Sequence, residues 1–149
     1  MTTTANLVTM DFSIGITSIM STDLQTASAS DPVAHLDEIF KEHRIHHVPV
    51  IDEESELVGV VSKSDFLYLL KGFTDNKVDT FIRAAKLRSF KVGEIMEDEV
   101  ESIPSTSTVR DAVAKLAENR YRCLPIVDAN KKLIGIVTPN DILKYIDEQ

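Results

Sequence analysis

Gly59-Val60-Val61-Ser62-Lys63-Ser64-Asp65 returns 76 residues later as Gly135-Ile136-Val137-Thr138-Pro139-Asn140-Asp141. Working outward at the same offset, residues 19–67 match residues 95–143 without a gap. A fixed internal period indicates two copies of one supersecondary unit, so a site in one copy has a counterpart in the other. Identical pairs include Met20 with Met96, Pro49 with Pro125, Gly59 with Gly135 and Asp65 with Asp141.

Each copy predicts the order strand, helix, strand, strand, helix. In the first copy, Asp31-Pro32 has the residues of a helix start, and apolar residues at helical spacing follow it. Two β-branched runs, 48–51 and 57–61, flank a polar turn and predict a hairpin, and a last helix is expected over 63–71. The second copy predicts a helix opened by Ser107, strands at 124–127 and 133–137, and a final helix over 139–146.

The strands are almost continuously apolar, which indicates that helices cover both of their faces and that the fold is mixed α/β (α+β). We predict two βαββα units packed with pseudo-two-fold symmetry as one module. Alternating apolar residues between Met10 and Ile16 indicate a short additional strand. The predicted boundaries are an N-terminal arm at 1–18, a first unit at 19–67, a linker with a helix at 68–94 and a second unit at 95–146.

Composition narrows the class of protein and its partners. The 149 residues are 43% hydrophobic and 27% charged, as in soluble globular proteins, and no apolar run approaches the roughly 20 residues of a membrane span. The first residues lack the basic region of a signal peptide, and the single cysteine, Cys123, suits a reducing compartment, so we expect a cytoplasmic protein. A net charge of −8 disfavours nucleic acid as a partner.

The two strand-to-helix junctions allow two interpretations. Ser62 with Asp65, and Thr138 with Asp141, have the spacing of a capping box, and Pro139 suits the first helical position. A helix start also presents unpaired amides and partial positive charge, and therefore attracts anions. A hydroxyl there can reach a phosphate, and a carboxylate can accept hydrogen bonds from both hydroxyls of a ribose. The residues permit a nucleotide at each junction without requiring one.

Three motifs, in the same order in both copies, resemble the cystathionine-β-synthase (CBS) domain. They are Ile-Met at the start, an apolar-Pro-apolar strand ending in Asp52 or Asp128, and Gly-apolar-apolar-Ser/Thr-x-x-Asp at the end. Two such units in tandem resemble a CBS pair, or Bateman module. In that family adenosine nucleotides (AMP, ADP, ATP), and sometimes S-adenosylmethionine, bind in the cleft between the units.

The resemblance implies roles for particular residues. Asp65 and Asp141 become ribose ligands, and Ser62 and Thr138 become their partners toward phosphate. The positions that flank adenine in the family are occupied here by Thr26, Ala27, Ser102 and Ile103.

The residues ahead of each central proline are the further phosphate candidates. By resemblance, Arg122 would serve the Asp65 site, and His46 or His47 would serve the Asp141 site. Cys123 departs from the pattern, because a polar side chain would be more useful at its position. We therefore predict two sites of unequal affinity.

The sequence offers little support for a metal site or for catalysis. His43, His46 and His47 lack a carboxylate or cysteine at ligand spacing, so no metal site is predicted. Cys123 adjoins apolar residues and is interpreted as a small buried hydrophobe. No nucleophile is paired with a base, so we predict no catalytic residue and no enzyme.

The predicted function is a stand-alone regulatory module that binds an adenine nucleotide and acts in trans on an unknown partner protein. It would need no cofactor, and would bind neither nucleic acid nor a membrane. The resemblance also implies a homodimer through the final helices. Two alternatives remain open: a structural dimerisation module whose junctions are only helix caps, and a module that binds S-adenosylmethionine instead.

Overall fold

The computed structural model describes residues 10–71 and 79–149, and it divides the chain into two compact units. One, here called the first-repeat unit, comprises Asp23–Val100 with Lys131–Leu133. The other, the second-repeat unit, comprises the described part of Met1–Thr22 together with Glu101–Asn130 and Ile134–Gln149. Each unit therefore holds most of one repeat together with the Ile-Met segment that begins the other.

The first-repeat unit is an antiparallel hairpin covered by helices. Strands β1 (His47–Ile51) and β2 (Leu57–Ser62) pair so that His47 lies opposite Ser62 and Val50 lies opposite Gly59. Their β-branched inner residues pack with Leu36 and Phe66 into one core. The helices of this unit are α1 (Ala34–Glu42), α2 (Lys63–Lys71), α3 (Asp79–Ser89) and α4 (Val92–Ile95).

The second-repeat unit contains a sheet in the order β3-β4-β5. Its strands are β3 (Ile103–Pro104), β4 (Leu124–Val127) and β5 (Leu133–Val137), and β3 runs parallel to β4. The helices are α5 (Val109–Ala117) and α6 (Pro139–Asp147), preceded in the chain by a 3-10 turn at Ile16–Ser18. Fully buried residues from the turn, strands and helix form the core, among them Ile16, Val109, Leu124, Ile126 and Val137.

The Ile-Met segment that begins each repeat packs on the β-strands of the other repeat. Glu97 and Val60 exchange backbone hydrogen bonds of 2.9 and 3.0 Å, and Ser21 and Ile136 do the same at 2.9 and 3.0 Å. Beside these bridges, Met96 lies over Gly59 and Met20 lies over Gly135, so closely that a Cβ at either glycine would displace the methionine. Close packing therefore favours glycine at both positions.

Residues ahead of each repeat also bind the start of the first helix in the other repeat. The Val33 N–H donates to the Phe90 carbonyl at 2.9 Å, and the Val109 and Arg110 N–H groups donate to the carbonyls of Ile14 and Phe12 at 2.9 and 2.8 Å. These helix starts are occupied by the chain itself. The starts of α2 and α6 are those at which the sequence predicts a ligand.

The predicted mixed helix-and-sheet class is confirmed, as are the hairpin of the first repeat and the final helix of each repeat. Two predicted helix starts were wrong. Helix α1 begins at Ala34 because the Asp31 carboxylate accepts the Ser28 N–H, at 2.8 Å, instead of helix amides. Helix α5 is capped by Thr108 rather than Ser107, since the Thr108 hydroxyl accepts the Asp111 N–H at 3.2 Å.

The predicted N-terminal strand and the predicted first strand of the first repeat also differ from the structure. The alternating residues after Met10 form one bridge, at Gly15, and a 3-10 turn, because their carbonyls bind helix amides. The first strand of the first repeat is reduced to a bridge between Ala27 and Val50. Residues 1–9 of the predicted arm lie outside the described residues, and the four predicted boundaries stay a prediction.

Candidate functional site

The start of helix α2 combines a hydroxyl, a free amide and a free carboxylate. The Ser62 Oγ accepts the Asp65 N–H at 3.0 Å, which leaves the hydroxyl proton available to a ligand. Among the described residues, the Ser64 N–H has no hydrogen-bond partner, and the exposed Asp65 carboxylate has neither a hydrogen bond nor an ion pair. The amide can donate a hydrogen bond to an anion, and the carboxylate can accept hydrogen bonds from hydroxyl groups.

Both predicted histidines lie next to this helix start. The Lys63 N–H donates to the His46 carbonyl at 2.8 Å, and His47 lies opposite Ser62 in the hairpin. The His46 side chain is exposed and that of His47 is half-buried. The structure therefore brings His46 and His47 together with Ser62 and Asp65 within one unit. The resemblance implied that His46 or His47 would contact phosphate at the Asp141 site, and this stays a prediction.

At the start of helix α6 the carboxylate is held on both oxygens. The Thr138 N–H and hydroxyl lie 2.9 and 3.3 Å from Asp141 Oδ2, and the Ser21 hydroxyl lies 3.3 Å from Oδ1. Within the part of the chain that is described, the Asn140 N–H has no hydrogen-bond partner, like that of Ser64. Because Pro139 has no N–H, no counterpart of the Lys63–His46 bond can form here.

The predicted adenine-flanking residues lie beside the first strand of each hairpin-like pair. The Ala27 N–H donates to the Pro49 carbonyl at 3.0 Å, and Ile103 is the parallel partner of Ile126. Ala27 and Ile103 are both buried in the cores, so only their backbones can face a ligand. Thr26 and Ser102, one residue earlier, are half-buried and keep their hydroxyls closer to the surface.

Arg122 and Cys123 have opposite environments. Arg122 is exposed, and it makes no ion pair with any residue in the described ranges. Cys123 is buried as predicted, and burial raises the pKa of its thiol to about 12. A thiol of this kind is a core residue and not a reactive group.

A metal site and a membrane-spanning helix are both absent from residues 10–71 and 79–149. No group of three or more His, Cys, Asp or Glu side chains is arranged to hold a metal ion. No helix in those ranges is long and apolar enough to cross a membrane.

Sequence reasoning missed two residues at these helix starts. Ser21 contacts Asp141 from a position 120 residues away, and Lys63 is the first residue of α2 where the other copy has proline. The signal for Ser21 was present, because the repeat places Glu97 at the matching position. A neutral polar residue in one copy and an acid at the matching position of the other copy indicate that the two copies differ there.

With this geometry in place, comparison with known proteins gives the family. The CBS domain profile matches residues 16–72 and 92–148, and the chain belongs to this family with two copies of the domain. The resemblance stated from the sequence is confirmed.

Individual relatives support the same fold. The chain is 35% identical over 138 residues to the CBS domain-containing protein CBSX1, chloroplastic, of Arabidopsis thaliana, an alignment that covers 82% of this chain and 58% of that protein. It therefore spans little more than half the length of that curated relative. The crystal structure of CBSX2 from Arabidopsis thaliana has a TM-score of 0.77 at 28% identity, with 91% of this chain and 95% of that chain covered. A structure of CBSX2 in complex with AMP has a TM-score of 0.75 at 31% identity, with 91% and 97% covered.

Proposed function

We propose that this chain binds an adenine nucleotide, with AMP as the first candidate, at the starts of helices α2 and α6. The observation that carries the proposal is the matched set at both helix starts: a free amide, a hydroxyl and an acid three residues later. The likeness to CBSX2, whose structure is known in complex with AMP, supports the choice of ligand. ADP and ATP share the adenosine part and are further candidates.

Each residue type has a role that its environment allows. Asp65 and Asp141 would accept hydrogen bonds from the ribose hydroxyls, and the Ser64 and Asn140 amides would donate to phosphate. The remaining predicted ligands would complete these contacts: Ser62, Thr138, His46, His47 and Arg122 toward phosphate, and Thr26, Ala27, Ser102 and Ile103 beside adenine. No cofactor, metal or catalytic residue is part of the proposal.

The chemistry of the helix starts suits sensing. Hydrogen bonds at an exposed helix start form and break without covalent chemistry, and a bound nucleotide changes the charge there. A ligand shifts a conformational equilibrium only as far as its affinities for the two states differ. We infer a regulatory module that passes nucleotide binding to a partner protein in trans, without nucleic acid. A cytoplasmic location stays a prediction.

Exposed leucines at matching repeat positions favour a second role. Leu67 on α2 is 41% exposed and Leu143 on α6 is 62% exposed, and Tyr68 next to Leu67 is 80% exposed. Large apolar side chains on the final helices would gain from packing against a second copy of the chain. We infer a homodimer through these helices, which is compatible with nucleotide binding but would also suffice for a purely structural module.

Calorimetric titration separates the two roles. The parent protein is titrated with AMP, ATP and S-adenosylmethionine, the last of which tests the alternative ligand. We expect Asp65→Ala and Asp141→Ala each to remove one binding event, while Asp147→Ala, an exposed acid at the other end of α6, keeps both. Absence of heat and of a thermal shift at millimolar ligand would refute nucleotide binding. Sedimentation of the parent and of Leu143→Glu tests the dimer independently.

A further inference from the structure

Ser21 and Glu97 occupy the same repeat position and the same backbone geometry. Each follows the Met of an Ile-Met pair, and each forms an isolated antiparallel bridge to the strand that precedes a helix start. The two bridges have nearly identical hydrogen-bond lengths, 2.9 and 3.0 Å in both cases. The side chain is therefore what distinguishes the two positions.

That side chain decides how the neighbouring acid is held. The Ser21 hydroxyl donates to Asp141 Oδ1 at 3.3 Å, while the Thr138 N–H holds Oδ2 at 2.9 Å. The Glu97 carboxylate has no hydrogen to donate, and it accepts the Glu99 N–H at 3.1 Å instead. The Asp65 carboxylate consequently makes no hydrogen bond with any described residue.

The count of acceptor sites at Asp141 suits a ribose. A carboxylate offers about four lone-pair sites, two on each oxygen. Ser21 takes one site on Oδ1 and the Thr138 N–H takes one on Oδ2. When the Thr138 hydroxyl turns toward a phosphate, one site stays free on each oxygen. Two hydroxyls on adjacent carbons can then be bound by a carboxylate that is already in place.

We propose that Ser21 is a positioning residue for Asp141, and that the helix start of α6 consequently binds the ribose of the nucleotide more tightly than the helix start of α2. The inference rests on the proposed function. An acid held before the ligand arrives loses little side-chain freedom on binding, whereas Asp65 must be ordered by the ligand itself. Glu97 adds a negative charge at the position where the other copy has a hydrogen-bond donor.

The test isolates the α6 site by working in the Asp65→Ala background. Calorimetry with AMP compares this protein with versions that also carry Ser21→Ala or Ser21→Thr. We expect Ser21→Ala to weaken AMP binding about three- to tenfold, as for one lost hydrogen bond, and Ser21→Thr to retain affinity. With 2′-deoxy-AMP the loss of affinity caused by Ser21→Ala should be smaller, because this ligand lacks one of the hydroxyls that donate a hydrogen bond to Asp141.

The opposite exchange tests the α2 site, in the Asp141→Ala background. Glu97→Ser should strengthen AMP binding there by a similar factor, whereas Glu99→Ser removes the same charge two residues away and should not. Equal strengthening by both variants would assign the effect to charge alone and overturn the positioning role. So would an unchanged affinity in Ser21→Ala, or an equal loss for AMP and 2′-deoxy-AMP. A parent that binds no nucleotide overturns the proposed function together with this inference, and a parent that binds while Ser21→Ala has no effect overturns only the inference.

Discussion

Alanine at Gly135 should be energetically coupled to Met20, from the start of the other repeat, and not to Met96. A Cβ on Gly135 would lie 2.8 Å from the Met20 Cγ, closer than carbon atoms approach without displacement. A Cβ on Gly59 would lie 2.6 Å from the Met96 Sδ and 3.0 Å from the Glu97 carbonyl oxygen. Both contacts follow from the exchange of Ile-Met segments between the repeats.

The expected magnitude comes from overpacking. An extra methyl group in a well-packed region destabilises a protein by about 1–3 kcal/mol. Shortening Met20 to alanine removes the atoms that the new methyl group would meet. The double variant should therefore be more stable than the sum of the two single changes by about 1–2 kcal/mol. Gly59→Ala should be the more destabilising glycine change, since a backbone carbonyl moves less easily than a methionine side chain.

Urea unfolding followed by circular dichroism measures these differences, in all four combinations of the two glycines with the two methionines. The pairs Gly135→Ala with Met20→Ala, and Gly59→Ala with Met96→Ala, should be coupled. The crossed pairs should be additive within about 0.5 kcal/mol. Coupling of Gly135 to Met96 instead would mean that each Ile-Met segment packs on its own repeat, and would refute the exchange.

Three further changes test single contacts. Thr108→Ala removes the hydroxyl that accepts the Asp111 N–H and should reduce the free energy of unfolding by about 1 kcal/mol. Thr108→Ser keeps the hydroxyl and should keep the stability. Equal stability of the two variants would contradict the cap. Because burial raises the pKa of Cys123 from 9.0 to about 12, iodoacetamide should alkylate the folded protein at pH 8 about 1000-fold more slowly than the urea-unfolded protein. The folded state keeps this thiol protonated, so the contribution of the thiol to the free energy of unfolding is present below pH 9 and is lost as pH rises through 12. The Cys123→Ala variant should therefore lose less stability between pH 9 and pH 12 than the parent protein. Lys86 is buried and donates to the Leu69 carbonyl near the end of α2 at 2.8 Å, so Lys86→Met should lower the melting temperature by roughly 2–6 °C, and an unchanged melting temperature would contradict the bond.

The parts of the fold that could be predicted are those with a local cause. Strands β4 and β5 have the predicted bounds because apolar β-branched residues are bordered by polar turns. Helix α2 begins where Ser62 and Asp65 predicted a cap. The N-terminal segment could not be predicted, because its alternating pattern suits a strand while its carbonyls bind the amides of α5, about 95 residues further along the chain.

The same distinction applies to the candidate site. The residues of each helix start are close in sequence, so the pattern was sufficient to find them. Ser21 reaches Asp141 only because the Ile-Met segment packs on the strands of the other repeat. The repeat shows that the copies differ at Ser21 and Glu97, but the contact with Asp141 depends on tertiary pairing and could not be predicted.

The exchange of segments also sets the order in which the chain can complete its parts. Asp23–Val100 supplies nearly all of the first-repeat unit, whereas the second-repeat unit needs residues from both sides of that stretch. During synthesis residues 10–22 emerge before Asp23–Val100, yet Thr108, Val109 and Ile136, to which they bind, emerge after it. The first-repeat unit can fold while the early segment waits, since domains fold as units during synthesis. The contacts of residues 10–22 are thus completed only after a stretch that follows them in the chain has been made.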